Sequence, residues 1–64
     1  MSKETYLVAI GPSFIQPEIL TSWGAVYESA SEDYWHTIHA FDGNMVFLHT
    51  YEKQWNGQWE VVVQ

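Results

Sequence analysis

The chain has 64 residues, a length that predicts one small domain over residues 1–64. Its eight acidic residues are balanced by only two lysines, and the formal net charge of -6 has the wrong sign for direct binding to a nucleic-acid backbone. Because there is no cysteine, disulfides and thiolate metal sites are excluded.

The distribution of apolar residues argues against a membrane protein. No apolar run approaches the roughly 18 residues that a spanning helix requires. Residues 1–4 lack the apolar core of a signal peptide, so we expect a cytoplasmic protein without membrane binding. Aromatic residues make up 17% of the chain, and exposed Trp and Tyr are enriched where proteins meet partners.

The N-terminal half predicts one strand and one short helix. Residues 5–10 form an apolar run that ends at a Gly-Pro pair, which is typical of a strand. Residues 17–24 predict a helix, because Pro17 suits the first helical position and Gly24 follows the last turn. The apolar stripe expected to cover one face of the sheet consists of Ile19, Leu20 and Trp23.

Residues 32–41 allow two interpretations. Ser31 followed by two acids is typical of a helix N-terminus, and a helix here would bring Tyr34, Ile38 and Phe41 to one side. The β-branched and aromatic content, together with the turn residues that follow, favours a strand instead. We prefer the strand and leave the helix open.

The C-terminal half predicts a three-stranded antiparallel meander. Two dipeptides, Asp-Gly and Asn-Gly, separate runs rich in β-branched and aromatic residues, and such dipeptides favour two-residue hairpin turns. The fold class is therefore α+β: a small antiparallel sheet of four to five strands with one short helix packed on one face. The expected partners are Ala40 with Met45, Ile38 with Phe47, His36 with His49, Gln54 with Trp59, Lys53 with Glu60, Glu52 with Val61 and Thr50 with Val63.

The sequence offers little for catalysis or metal binding. In the expected register His36 faces His49, but His39 lies on the other side of its strand, so three imidazoles do not converge. There is no cysteine nucleophile, no Gly-x-Ser-x-Gly elbow and no glycine-rich phosphate loop. We expect a binding protein with no catalytic residue, metal or cofactor.

Several stretches, taken in order, resemble one known family. They are Pro17-Glu18 before Gly24, Glu28-Ser29, residues 38–42, residues 44–48 and residues 59–64. This order is similar to that of the phage uracil-DNA glycosylase inhibitor family over residues 13–64. Proteins of this family bind the enzyme's DNA-binding groove by mimicking DNA, and a phage origin would imply the host cytoplasm.

The resemblance implies a set of partner-binding residues. An apolar cavity between helix and sheet would capture the leucine that the enzyme inserts into the minor groove, and an edge strand containing Ser13, Phe14 and Ile15 would enter the DNA groove. Pro12 stands where the family has an acid, so that role would pass to Glu18 or Glu28. The cavity residues implied by the match are Leu20, Trp23, Val46, Leu48 and Val62.

The leading functional hypothesis is therefore a non-enzymatic inhibitor of uracil-DNA glycosylase. One alternative is an acidic inhibitor of another host nucleic-acid-binding protein. A second is a small ligand-binding module in which Trp35, Trp55 and Trp59 form an aromatic platform. A third is a subunit that buries its apolar face in a homo-oligomer.

Overall fold

The runs of β-branched and aromatic residues pair into one antiparallel sheet. The computed structural model describes residues 3–64, so Met1 and Ser2 of the predicted domain lie outside the described residues. Within this range the strand order is β2-β1-β3-β4-β5, which confirms the predicted α+β class. The elements are β1 (Tyr6–Ile10), β2 (Glu18–Leu20), α1 (Trp23–Glu28), a 3-10 turn (Glu32–Tyr34), β3 (Thr37–Phe41), β4 (Phe47–Lys53) and β5 (Trp59–Val63).

The helix predicted over residues 17–24 is wrong in position. Ile19 and Leu20 belong to β2 and pair with Val8 and Leu7 of β1. This pairing gives the backbone of residues 18–20 ladder hydrogen bonds with an otherwise unpaired edge, and it outweighs the local start and stop signals of a helix. Gly24, expected after the helix, lies inside α1.

Helix α1 begins where a side chain caps it. The Ser22 hydroxyl accepts a hydrogen bond from the Ala25 backbone N–H at 3.0 Å, the usual role of serine at this position. At the other end the Ser29 N–H donates to the Val26 carbonyl oxygen at 3.3 Å. The helix therefore overlaps the predicted one only at Trp23 and Gly24, continues to Glu28 and directs Val26 into the core.

Of the two interpretations of residues 32–41, the strand is correct for residues 37–41 and the helix is wrong. The acids after Ser31 form only the single 3-10 turn, whose first residue lacks a side-chain cap. The strand preferred from composition is confirmed from Thr37 onward. Between them the His36 backbone N–H donates to the Ile10 carbonyl oxygen at 2.9 Å, which aligns β3 beside β1.

Each hairpin loop has three residues, where two were predicted. The first closes through Asp42 N–H to the Val46 carbonyl oxygen at 3.0 Å, and the second through Gln54 N–H to the Gln58 carbonyl oxygen at 2.7 Å. The last loop residue is left-handed in both, with φ 64 at Met45 and 87 at Gly57. This is the three-residue loop with a bulge, and it shifts the register.

The registers correct most of the predicted strand pairs. Thr50 opposite Val63 is confirmed. The other expected pairings are wrong, because the longer loops displace each strand along its neighbour. The observed partners are Ile38 with Tyr51, Ala40 with His49, Phe41 with Phe47, Tyr51 with Val61, Glu52 with Glu60 and Lys53 with Trp59.

The core lies on the face of the sheet toward α1. Val26 from the helix and Trp35 from the segment before β3 pack on the inward side chains of β1 and β3. Trp35, 1% exposed, is the largest fully buried side chain, and its indole N–H donates to Ser29 Oγ at 3.3 Å. None of the helices among residues 3–64 combines the length and apolar character that a membrane crossing requires.

Candidate protein-binding surface

The strand registers divide the sheet into two faces of different character. The covered face carries the four fully buried strand residues, Leu7, Ala9, Ile38 and Ala40, under α1 and Trp35. The opposite side, here called the open face, carries the alternate residues of the same strands. It consists of three rows across the sheet: Tyr6, Phe41 and Phe47; then Ile19, Val8, His39, Thr50 and Val63; then Ile10, Thr37, Glu52 and Glu60.

The first two rows of the open face are mostly apolar and accessible. Phe47 is 42% exposed and its ring lies 5.9 Å from that of Phe41 in an edge-to-face arrangement. His39 follows in the second row and shares a 2.8 Å hydrogen bond between its Nδ1 and the Thr50 hydroxyl. Thr50 is thereby satisfied although buried. Every apolar side chain on this face stays at least partly exposed.

The third row brings two carboxylates together. Glu52 and Glu60 are directly opposite each other on neighbouring strands, and both are exposed. Like charges at directly opposed positions destabilise a sheet. The nearby Lys53 does not relieve them, because its ammonium lies on the covered face, 3.5 Å from Glu32 Oε2 and 5.3 Å from the centre of the Trp59 ring.

The covered face holds the other notable polar cluster. One Glu4 oxygen, Oε2, accepts hydrogen bonds from His49 Nε2 and the Tyr51 hydroxyl, while Oε1 accepts from Trp23 Nε1 at 3.1 Å. Burial alone would raise the pKa of Glu4, but the hydrogen bonds from Tyr51, His49 and Trp23 and the charge of His49 hold it below its ordinary value. Burial, then the bond to Glu4 and its charge, raise the pKa of Tyr51 to about 12.

This cluster ties the segment before β1 to the sheet. The Glu4 carboxylate accepts hydrogen bonds from His49 and Tyr51, and no pocket is found beside it within residues 3–64. The cluster therefore acts as a structural tether that joins Glu4 to the helix residue Trp23 and to His49 and Tyr51 of β4.

The segment expected to enter a DNA groove is a loop in this structure. Residues 13–15 lie between β1 and β2 and belong to neither strand. Phe14 is 72% exposed, and its ring lies 5.6 Å from the Tyr34 ring in an edge-to-face arrangement. Ser13 is exposed, whereas Ile15 is half-buried and packs against the core. Ser13 and Phe14 are therefore more accessible to a partner than Ile15.

The residues expected to line one apolar cavity are not brought together. Leu20 and Trp23 pack against the core on the covered face. Val46 lies at the tip of the first hairpin and Leu48 at the bulge in β4, while Val62 sits in edge strand β5. No cavity is found in the part of the chain that the structure describes. Trp23, Tyr51 and Trp59 fill the space between helix and sheet with their rings.

The two acids proposed to replace the missing edge-strand acid lie apart from each other. Glu18 is the first residue of β2, and its predicted place in a helix N-terminus is wrong. Glu28 is the last residue of α1. Both are exposed, so both remain accessible to a partner.

Two further candidate sites can be compared with the geometry. The histidines do not gather: His36 is exposed and contacts Thr37, His39 lies on the open face and His49 on the covered face. No group of metal-binding side chains occurs within residues 3–64. The three tryptophans also fail to form a common platform, because Trp35 is buried, Trp59 is half-buried and Trp55 is 98% exposed.

Sequence reasoning missed the open face as a unit. The expected register paired Lys53 with Glu60, which hides the opposed carboxylates. The spacing of Thr50 and Glu52, two residues apart, indicates that they share one face of β4, and Glu60 stands among apolar residues in β5. Only the correct loop length shows that Glu52 and Glu60 lie in the same row.

Comparison of the chain with known proteins identified no similar protein. No protein-family model, curated protein or solved structure matches the chain. The functional argument therefore depends on the geometry and charge described above.

Proposed function

We propose that the protein is a non-enzymatic inhibitor that binds the DNA-binding groove of uracil-DNA glycosylase and keeps the enzyme from its substrate. One observation carries the proposal: five exposed carboxylates have no ion-pair partner among residues 3–64. A groove that binds DNA is lined with lysine and arginine, so carboxylates can occupy the positions of phosphates. These five are Glu18, Glu28, Asp33, Glu52 and Glu60.

The three remaining acids, Glu4, Glu32 and Asp42, bind groups of the protein itself. Glu4 accepts a hydrogen bond from His49, Glu32 pairs with Lys53, and the Asp42 carboxylate accepts hydrogen bonds from two backbone N–H groups of its own turn. The negative charge left for a partner therefore resides on the exposed set. A long-range attraction of this kind accelerates association with a basic protein.

The apolar part of binding falls to exposed side chains on the protein surface. The resemblance implies a cavity for the enzyme's minor-groove leucine, and residues 3–64 enclose none. Exposed apolar side chains beside the carboxylates can supply the desolvated contact that charge alone does not give.

Titration against a fixed amount of uracil-DNA glycosylase tests the proposal. We expect uracil excision to fall to zero near one inhibitor per enzyme, because the protein acts by occupying the groove and not by turnover. The association rate should fall steeply as salt rises, since exposed charges are screened. The control is the variant in which all five exposed acids are changed to amides, which should associate slowly at every salt concentration.

Full uracil excision at a large molar excess of the protein would show that uracil-DNA glycosylase is not the target. The second candidate, an inhibitor of another nucleic-acid-binding protein, uses the same unpaired carboxylates. It predicts that the protein displaces labelled DNA from a different basic DNA-binding protein, again with strong salt dependence.

A further inference from the structure

We infer that the open face is the surface that meets the partner, and that the partner presents arginine or lysine side chains beside aliphatic or aromatic ones. The inference rests on the proposed function, which requires a basic partner but does not say which side of the molecule docks. The occupant of the open face is then the basic groove of another protein.

The opposed carboxylates give the first argument. Glu52 and Glu60 repel each other across β4 and β5, and neither forms an ion pair within residues 3–64. A guanidinium or ammonium group placed between them turns this repulsion into attraction for both acids. The third row is thus a local weakness of the free protein that a cationic partner removes.

The apolar rows give the second argument. Adjacent rows are about 7 Å apart along the strands, because every second residue faces the same side. The exposed Val63 therefore lies in the row next to the carboxylates, and the exposed Phe47 lies one row further away. A partner covering all three rows meets apolar side chains at one end of the face and two acids at the other.

The covered face is a poor alternative. Two acids on this side already have partners, Glu4 in the tether and Glu32 with Lys53. The exposed Glu18 stands in edge strand β2 opposite Ala9, without a second carboxylate across from it. The aromatic rings of Trp23, Tyr51 and Trp59 occupy the space beneath the helix. A partner would have to displace these contacts before it could bind.

A second copy of the chain is a poor occupant of the open face. No residue of its three rows is a lysine or arginine, so two such faces have no cation to place against Glu52 and Glu60. Each copy also carries a net charge of -6, which opposes close approach. Complementarity of charge therefore selects a basic protein.

Charge reversal at matched exposed acids tests the inference. Glu60→Lys should raise the melting temperature, because it replaces a repulsive pair with an attractive one, and yet should weaken inhibition of uracil-DNA glycosylase at least tenfold. The comparison variant is Glu28→Lys, which makes the same change in net charge at the end of α1, away from the open face. It should lose only its share of the long-range attraction and therefore weaken inhibition at least threefold less than Glu60→Lys does. Glu60→Gln removes the repulsion without adding a positive charge. It should therefore raise the melting temperature and weaken inhibition, each by less than Glu60→Lys does.

Equal losses for Glu60→Lys and Glu28→Lys would overturn the inference, since only net charge would then matter. Unchanged inhibition by Glu60→Lys would overturn it as well. In either case the wild-type protein still inhibits, so the proposed function survives.

A second measurement covers the case in which the wild type does not inhibit this enzyme. Amide chemical shifts are recorded while a capped Arg-Val-Arg-Val-Arg-Val peptide is added, with the corresponding Arg-Gly peptide as control. We expect the Arg-Val peptide to shift open-face residues more than the control does. Shifts concentrated around α1, equal effects of the two peptides, or a dimer in sedimentation whose interface is the open face would each refute the inference.

Discussion

Neighbouring residues of β3 lie in opposite environments. Ile38 and Ala40 are fully buried beneath α1, whereas His39 and Phe41 remain partly exposed on the other side of the same strand. The first pair belongs to the core, and the second lies on the open face, with His39 in the row next to the opposed carboxylates and Phe41 one row further. Because side chains alternate along a strand, stability and partner binding can occupy the same backbone without sharing residues.

The largest expected effect comes from emptying the covered face. Trp35→Ala should lower the free energy of unfolding by about 3–5 kcal/mol, because it removes a fully buried indole and leaves a cavity. Urea denaturation followed by circular dichroism measures the loss. The control is Trp55→Ala, which alters a side chain that is 98% exposed and should change stability by less than about 0.5 kcal/mol. Similar losses in both variants would contradict the assignment of the core.

A smaller effect should follow from the tether on the covered face. The raised pKa of Tyr51 means that the folded state holds a proton that the unfolded state releases, so stability falls as the pH rises from about 10 toward about 12. The lowered pKa of Glu4 acts at the other limb: its contribution is present above the ordinary glutamate pKa and is lost as the pH falls through the folded value. Denaturant midpoints measured across pH should show both limbs.

Single variants assign each limb of this profile. Tyr51→Phe should flatten the alkaline limb and Glu4→Gln the acid limb. Tyr27→Phe is the control, because Tyr27 is 58% exposed and lies outside the cluster. An alkaline limb that persists unchanged in Tyr51→Phe would show that other groups cause it.

The smallest effect concerns the hairpin tip beside the open face. Met45 adopts a left-handed conformation that disfavours residues with a Cβ by about 1–2 kcal/mol, while its side chain is 55% exposed. Met45→Gly should therefore stabilise the protein by up to about 1 kcal/mol, after the entropy of the added glycine is included. Met45→Ala keeps the strain and serves as the control. A loss of stability in Met45→Gly would mean that the methionine side chain contributes packing.

Sequence reasoning predicted the sheet better than the register. The Asp-Gly and Asn-Gly dipeptides marked both hairpins correctly, because turn chemistry is local. They could not show that each loop has three residues with the left-handed conformation at Met45 and Gly57, and this difference moved most strand pairs. The helix was misplaced for a different reason: residues 18–20 gain more from pairing with β1 than from their own helical signals.

The site was less predictable than the fold. The residues taken from the family resemblance are distributed over a loop, both faces and one edge. The row that joins Glu52 to Glu60 depends on the register, which local sequence does not determine. Composition alone gave the acidic net charge, and the structure adds which carboxylates are exposed and without an ion-pair partner within residues 3–64.

The edge strand β5 affects how the protein should be handled in solution. Three successive valines, Val61, Val62 and Val63, are 40%, 48% and 51% exposed at an edge whose outer backbone groups face no further strand of the described sheet. Such an edge can pair with another molecule, and the net charge of -6 on each copy opposes pairing between two copies. Since salt screens that repulsion, concentrated samples should stay clear at low ionic strength and become turbid when salt is added, the reverse of ordinary salting-in.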